Sequence, residues 1–214
     1  MPVFQGTMSG VFITGTDTGA GKTRITTALM EAMKSKGLTV AGMKPVACGC
    51  TVRPGGPRND DALLLQKHAS HPPPYERVNP YALPLPASPQ LAAEQARVVI
   101  HTGPLVDAYH RLTVQAEIVV VEGIGGWRVY LDRDLQMADL IKVLRLPVIL
   151  VVGLRLGCIN HAMLSLESIL ADNIRLLGWI GNHIDPNFLH SRESVAFLTR
   201  SFDAPLLGDV PYLP

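Results

Sequence analysis

The stretch 11–23, VFITGTDTGAGKT, sets an apolar run before a glycine-rich turn that ends in Gly21, Lys22 and Thr23 and opens a helical pattern. Backbone N–H groups in such a turn, together with the positive end of the helix, form a cradle for phosphate oxygens. Gly19, Ala20 and Gly21 would supply main-chain donors, Lys22 would reach the β and γ phosphates, and the Thr23 hydroxyl would hold Mg²⁺. A common Walker A loop has four residues between its two glycines; Gly15 and Gly21 enclose five, a variant of that loop. Such a turn can also be plain punctuation, but here strand, Gly-Lys, Thr and helix coincide.

Phosphate chemistry also needs carboxylates for the metal, usually at the end of a neighbouring strand. Glu122 stands where the run 118–121 stops, in VVVEGIGGW, and Gly123, Gly125 and Gly126 after it would let the backbone approach a ligand closely. Without the glycine loop upstream it would read as a solvated acid at a turn. Asp60 and Asp61, in RNDDALLLQ, suit a helix N-terminus as well as they suit a metal, and the local pattern leaves both open. Lys44, in AGMKPV, lies where a second strand ends, because Pro45 prevents further ladder pairing. It is a candidate second phosphate cation; its plain alternative is a solvated lysine.

The elements that must hold these residues follow from the alternation of short β-branched runs with longer helical periods, the mark of βαβ units on a parallel sheet. Strands are predicted over 11–14, 39–44, 118–122, 148–152, 177–182 and near Leu206; helices over 22–36, 60–68, 90–96, 105–115, 160–171 and 191–199. Runs 118–121 and 148–152 lack in/out alternation, as expected where helices cover both faces of a sheet. The carboxyl edge of such a sheet lines the ligand crevice. The segment 69–89 holds Pro72, Pro73, Pro74, Pro80, Pro84, Pro86 and Pro89; that density predicts neither regular helix nor central strand but an ordered wrapping loop or a mobile lid bordering the substrate or dimer cleft.

A chain of 214 residues with 47% hydrophobic content suits one domain over 1–214. Residues 1–9 are expected to be disordered or foreign to it, with Met8 as an alternative start. The net charge of +1 creates no field toward nucleic acid or anionic lipid. The longest apolar run, 146–154, is broken by Pro147 and is too short for a membrane span. Cys48, Cys50 and Cys158 form no disulfide framework and no secretory signal is visible, so a cytoplasmic protein is expected. Cys48 and Cys50 with His68 and His71 lack the paired spacing of structural zinc. No HExxH or G-x-S-x-G pattern supports hydrolase chemistry, and Trp127 and Trp179 read as packing residues.

GTDTGAGKT, AGMKPVACG, RNDDALLLQ, NPYALPLPASP, VVVEGIGGW, PVILVVGLRLGCINHAML, GWIGN and GDVPYL together, in this order across nearly the whole chain, resemble the dethiobiotin synthetases. The resemblance implies a three-layer P-loop NTPase-type α/β fold, mostly parallel. It implies an ATP- and Mg²⁺-dependent cyclo-ligase that makes dethiobiotin from 7,8-diaminopelargonic acid and CO₂ through a carbamate and a carbamic-phosphoric anhydride. It also implies a homodimer with the substrate site at the interface. By matching motif, Thr23, Asp61 and Glu122 become the Mg²⁺ ligands, Asp61 rather than Asp60 because the family's acid directly precedes the Ala-Leu pair. Lys22 and Lys44 clamp the phosphates and the carbamate, and Thr18 bonds near them. Gly125 belongs to the nucleotide site, and Asn182, Pro211 and Leu213 match adenine-binding positions. Gly157, Cys158, Ile159 and Asn160 match the turn whose N–H groups hold the substrate carboxylate across the dimer, with Cys158 as packing rather than nucleophile.

Two positions depart from that pattern: Gly19 stands where some members have an acid, and Cys48, in the substrate set, where many have Ser. A thiol donates more weakly than a hydroxyl, so a contact at Cys48 should be looser. The sequence ends in PYLP, where some members carry a further segment. The competing reading is a P-loop switch of the partition or division-site type. That function needs a basic face or amphipathic terminal helix, neither of which is visible, and usually a second lysine at the loop's start, where Gly15 and Thr16 stand. A cobyrinic-acid amidating synthase would need a glutamine-hydrolysing domain for which no room remains.

Overall fold

In the computed structural model, residues 9–213 are described. The expectation for residues 1–8 lies outside them, while Ser9 is already engaged, its carbonyl accepting from Val119 N–H at 2.9 Å. In chain order the elements are β1 (Gly10–Gly15), α1 (Lys22–Lys34), β2 (Val40–Met43), β3 (Val46–Ala47), β4 (Thr51–Arg53), β5 (Gly56–Arg58), α2 (Asp60–His68), α3 (Tyr75–Val78), β6 (Tyr81–Ala82), α4 (Pro89–Ala96), α5 (Thr102–Thr113), β7 (Ile118–Glu122), α6 (Met137–Leu144), β8 (Val148–Leu154), α7 (Cys158–Ala171), β9 (Leu176–His183), α8 (Ser191–Ser201) and β10 (Leu206–Val210).

Six strands form one sheet in the order β10-β9-β8-β1-β7-β2, and every pairing in it is parallel. The uninterrupted apolar strands follow from what covers them. In β1, Val11 and Ile13 face a cluster with Ile25 and Met30 of α1 and Leu65 of α2. Phe12 faces the opposite cluster, with Leu105 and Leu112 of α5 and Leu140 and Ile141 of α6. Leu150 and Val152 of β8 pack with α7, α8 and Trp179. Trp127 and Trp179 are both buried, as packing residues should be.

The segment 69–89 contributes no strand to the six-stranded sheet and only one helical turn before Pro89, within what its proline density predicts, but it is not without structure. Four proline-free residues after Pro74 close the single turn α3, and Tyr81–Ala82 pair in parallel with Val46–Ala47, extending the chain beyond β2. Proline density forbids long elements but not a turn starting just after a proline, where φ is already set and no N–H is needed. The first long helix ends at Lys34, short of residue 36. The helix predicted to start at Asn160 begins at Cys158, directly after a left-handed Gly157. α6 was not among the predicted helices. No described helix is long and apolar enough to cross a membrane.

Candidate active site

Every parallel strand delivers its last residue to the same edge of the sheet, and the residues singled out for chemistry stand there. α1 begins at a left-handed Gly21, φ 87°, with no side chain capping it and no acid in its first turn. Its positive end is therefore left for an outside acceptor. α2 is the contrast: Asn59 caps it, accepting from Ala62 N–H at 3.2 Å, and Asp60 lies outside with Arg53 at 3.1 Å. Of the two aspartates only Asp61 turns to the sheet edge.

Lys44, 3% exposed, extends from the end of β2 and donates to Glu122 Oε1 at 2.5 Å, Asp61 Oδ2 at 3.0 Å and Gly123 O at 3.2 Å. Burial alone would lower its pKa, but Glu122 and Asp61 outweigh that and hold the ammonium above its ordinary value. Asp61 shifts the other way: partial burial opposes ionisation, and Lys44 overrides it, holding the carboxyl below its ordinary value. The Thr23 hydroxyl donates to the same Glu122 Oε1 at 2.8 Å, while Glu122 Oε2 is buried without a partner. Lys22 donates to the carbonyls of Asp17 at 2.9 Å and Gly125 at 2.7 Å. Burial, then repulsion from Lys44, lowers its pKa to about 8.

Thr18, Lys44, Cys48, Asp61 and Gly125 line one cleft of about 560 Å³, walled by Ile124, Val129 and the Pro86–Pro89 corner. The proline-rich segment thus borders the cleft through its last residues. Burial and the neighbouring Cys50 push the Cys48 thiol up to about 11. Across the loop a smaller slot is lined by Gly21, Arg24, Asn182, His183, Ile184, Tyr212 and Leu213, with Pro211 just before it. Asn182 is buried and donates to Ala20 O at 2.9 Å, leaving its Oδ1 without a partner. A Cβ on Gly21 would lie 2.0 Å from Asn182 Nδ2, so only glycine admits this approach. Gly19 also has positive φ, with open space around it. Gly157, Ile159 and Asn160 do not line the Lys44 cleft of their own chain, and Cys158 is buried in the α7–α8 core.

Sequence reasoning passed over Asp17 and Arg155. Asp17 accepts from Thr18 N–H and from Arg155, both at 2.7 Å, joining the glycine loop to the end of β8. No motif marks such a pair, since Arg155 is brought in by strand order alone. Asn59 could have been found, as an Asn directly before an apolar-periodic run is a helix-start signal.

A family model described as "AAA domain" matches residues 9–214. An ATP-dependent dethiobiotin synthetase from Xanthomonas oryzae pv. oryzae is 48% identical over 203 residues, covering 95% of this chain and 91% of the relative. One from Xylella fastidiosa is 45% identical over 207 residues, covering 97% and 92%. Among solved structures, a ParA family ATPase from Chlorobium tepidum matches with TM-score 0.58 at 15% identity over 96% of this chain and 86% of that one. The MinC:MinD cell division protein complex of Aquifex aeolicus matches with TM-score 0.59 at 17% identity, over 97% and 82%. These last likenesses share the fold alone. With the phosphate-loop architecture and relatives matched over more than nine-tenths of their length, the chain belongs to the dethiobiotin synthetase family and is a ligase of biotin biosynthesis.

Proposed function

We propose that the chain closes the ureido ring of dethiobiotin from 7,8-diaminopelargonic acid, CO₂ and ATP. One substrate amine adds to CO₂ and loses a proton, giving a carbamate. The carbamate oxygen attacks the γ-phosphorus and ADP leaves. The second amine then attacks the carbamoyl carbon, loses a proton and expels phosphate. The protein needs no covalent nucleophile; it must align a weak oxygen nucleophile and offset charge on the transferring group.

The observation that carries this reading is Lys44, a buried cation spanning Asp61 and Glu122 beside an uncapped helix start. Lys44 and Thr18 face the carbamate, Lys22 and the loop N–H groups of Gly19, Ala20 and Gly21 take the phosphates, and Gly125 borders both. Asn182, Pro211 and Leu213 take the adenine; the free Asn182 Oδ1 suits an amino-group donor. Thr23, Asp61 and Glu122 would hold Mg²⁺. The orphaned Glu122 Oε2 fits that use, and a set of two carboxylates and a hydroxyl matches an ion that keeps waters and phosphate oxygens as its remaining ligands. When bound, the ion neutralises charge on the phosphate oxygens.

A homodimer would bring Gly157, Cys158, Ile159 and Asn160 of one copy to the cleft of the other, the N–H groups of Gly157, Ile159 and Asn160 facing the substrate carboxylate while that of Cys158 holds the turn by donating to Arg155 O at 3.0 Å. Leu156 and Leu164, 87% and 57% exposed beside that turn and on α7, suit such an interface. We place the reaction in the cytoplasm, in keeping with the free thiols of Cys48, Cys50 and Cys158. The test is ADP release by the purified chain with and without diaminopelargonate plus bicarbonate. Release that requires both substrates is expected, and Lys22→Ala should stay folded while losing most of it. Turnover indifferent to the diamine but stimulated by DNA or liposomes would overturn the reading in favour of a P-loop switch.

A further inference from the structure

The peptide unit that carries Lys44 is held on both sides by the proline-rich segment. Its N–H donates to Val78 O at 2.7 Å, and its carbonyl accepts from Asn79 Nδ2 at 2.7 Å. The same Nδ2 donates to Tyr81 O at 3.1 Å. Asn79 Oδ1 accepts from the Tyr75 hydroxyl at 2.9 Å, and that hydroxyl in turn accepts from Asn59 N–H at 2.8 Å. Asn59 caps the helix whose first turn holds Asp61. A continuous chain of hydrogen bonds therefore runs from the backbone of Lys44, through Asn79 and Tyr75, to the start of α2.

These links lie behind the site. Asn79 is 2% exposed and Tyr75 8%, and the Arg58 guanidinium covers the tyrosine ring at 4.3 Å from its centroid. Both polar atoms of the Asn79 side chain are satisfied. A buried network with every member paired rigidifies what it connects, whereas removing one member leaves its partners unpaired. What it connects here is the anchor of a lysine and the anchor of the aspartate it meets at 3.0 Å, on two elements with no shared strand.

We propose that Tyr75 and Asn79 are positioning residues for the ligase reaction, fixing Lys44 and Asp61 relative to each other from behind the cleft. The proposal rests on the role given to Lys44 above. Neither side chain lines the cleft, so both act through Lys44 and Asp61 rather than on substrate.

The experiment compares Tyr75→Phe and Asn79→Ala with the unaltered full-length chain by thermal melting, steady-state kinetics and single-turnover ADP formation. Tyr75→Phe keeps the ring and is expected to melt as a single cooperative unit. Its kcat should fall about tenfold, the scale set by slight misplacement of a catalytic group. KM for ATP should stay within about twofold, because the glycine loop and the Asn182 slot are untouched. In a Lys44→Arg background the same Tyr75→Phe change should cost far less in the single-turnover rate, since residues acting through one group are not additive. A folded Tyr75→Phe with unaltered kcat, or an equal fold-loss in both backgrounds, overturns the proposal. If Asn79→Ala fails to fold, Tyr75→Phe alone decides. Lys44→Gln separates the two layers: normal turnover there refutes the role of Lys44 itself, whereas an inactive Lys44→Gln beside a fully active Tyr75→Phe refutes only the positioning.

Discussion

Cys48 shows how position overrides residue type. Its thiol faces the cleft yet is pushed up to about 11 by burial and by Cys50, so at pH 8 little thiolate is present. Alkylation of Cys48 by iodoacetamide should therefore run roughly a hundredfold slower than for a free cysteine of pKa about 8.5. It should also climb with pH until about 11; peptide mass spectrometry of timed samples reads it. Rapid labelling of the folded chain at pH 7.5 would contradict the environment described. The Lys44–Asp61 pair behaves differently. Asp61, with its pKa lowered, supports the fold above the ordinary carboxylate range and loses that contribution as acid protonates it. Lys44, with its pKa raised, supports it up to and beyond the ordinary lysine range. The pair thus stays intact across neutral pH. At this scale Lys22, Thr23, Glu122 and Lys44 could be picked out from the sequence because each terminates a recognisable run. Asp17, Arg155, Tyr75 and Asn79 could not, because the links that tie them to the site, Asp17 to Arg155, Asn79 to Lys44 and Tyr75 to Asn59, join distant stretches of chain and no local pattern announces them.

Among the elements, the junction of the glycine loop with β9 is the least tolerant. Gly21→Ala would place a methyl 2.0 Å from Asn182 Nδ2 at a φ of 87°, forcing the amide off Ala20 O. The expected result is at least a tenfold loss of nucleotide affinity by calorimetry, with a strain of about 1–3 kcal/mol also visible in the melting temperature. The same conformation is occupied by a non-glycine after α6, where Arg145 sits at φ 52°. Arg145→Gly should stabilise the chain by about 0.5–1 kcal/mol in urea titration, with turnover unchanged. Strand and helix positions along the parallel sheet were readable because apolar runs and helical periods alternate cleanly. α6 escaped because it follows a loop rich in charge and no favoured capping residue precedes it, its N-cap being Gln136. Its capping box, with Gln136 N–H on Asp139 Oδ2 at 2.9 Å, is built from Gln and Asp rather than from the Ser or Thr and Glu or Gln that mark a helix start in sequence. The short helix α3 and the β3–β6 pairing were hidden for another reason: proline counting registers what is forbidden over a long span, not what one turn allows.

For the whole molecule, strand order is the organising fact. Residues from 15 to 183 meet at one sheet edge because parallel strands all end there. The architecture was legible from alternation alone, but which neighbours cross that edge was not. One outcome of this convergence is electrical. Lys22 and Lys44 face Asp61 and Glu122, and Arg155 faces Asp17, so these fixed charges cancel before any visitor arrives and, among the described residues of the site, only Arg24, at the smaller slot, is left over. A chain of net charge +1 adds almost nothing to that balance. Such a mouth casts no long-range attraction, and encounter with a polyanion is left to diffusion and close fit rather than to steering. Stopped-flow association of a fluorescent nucleotide should therefore change by less than about threefold between 20 and 300 mM salt, well below the steep decline of electrostatically guided capture.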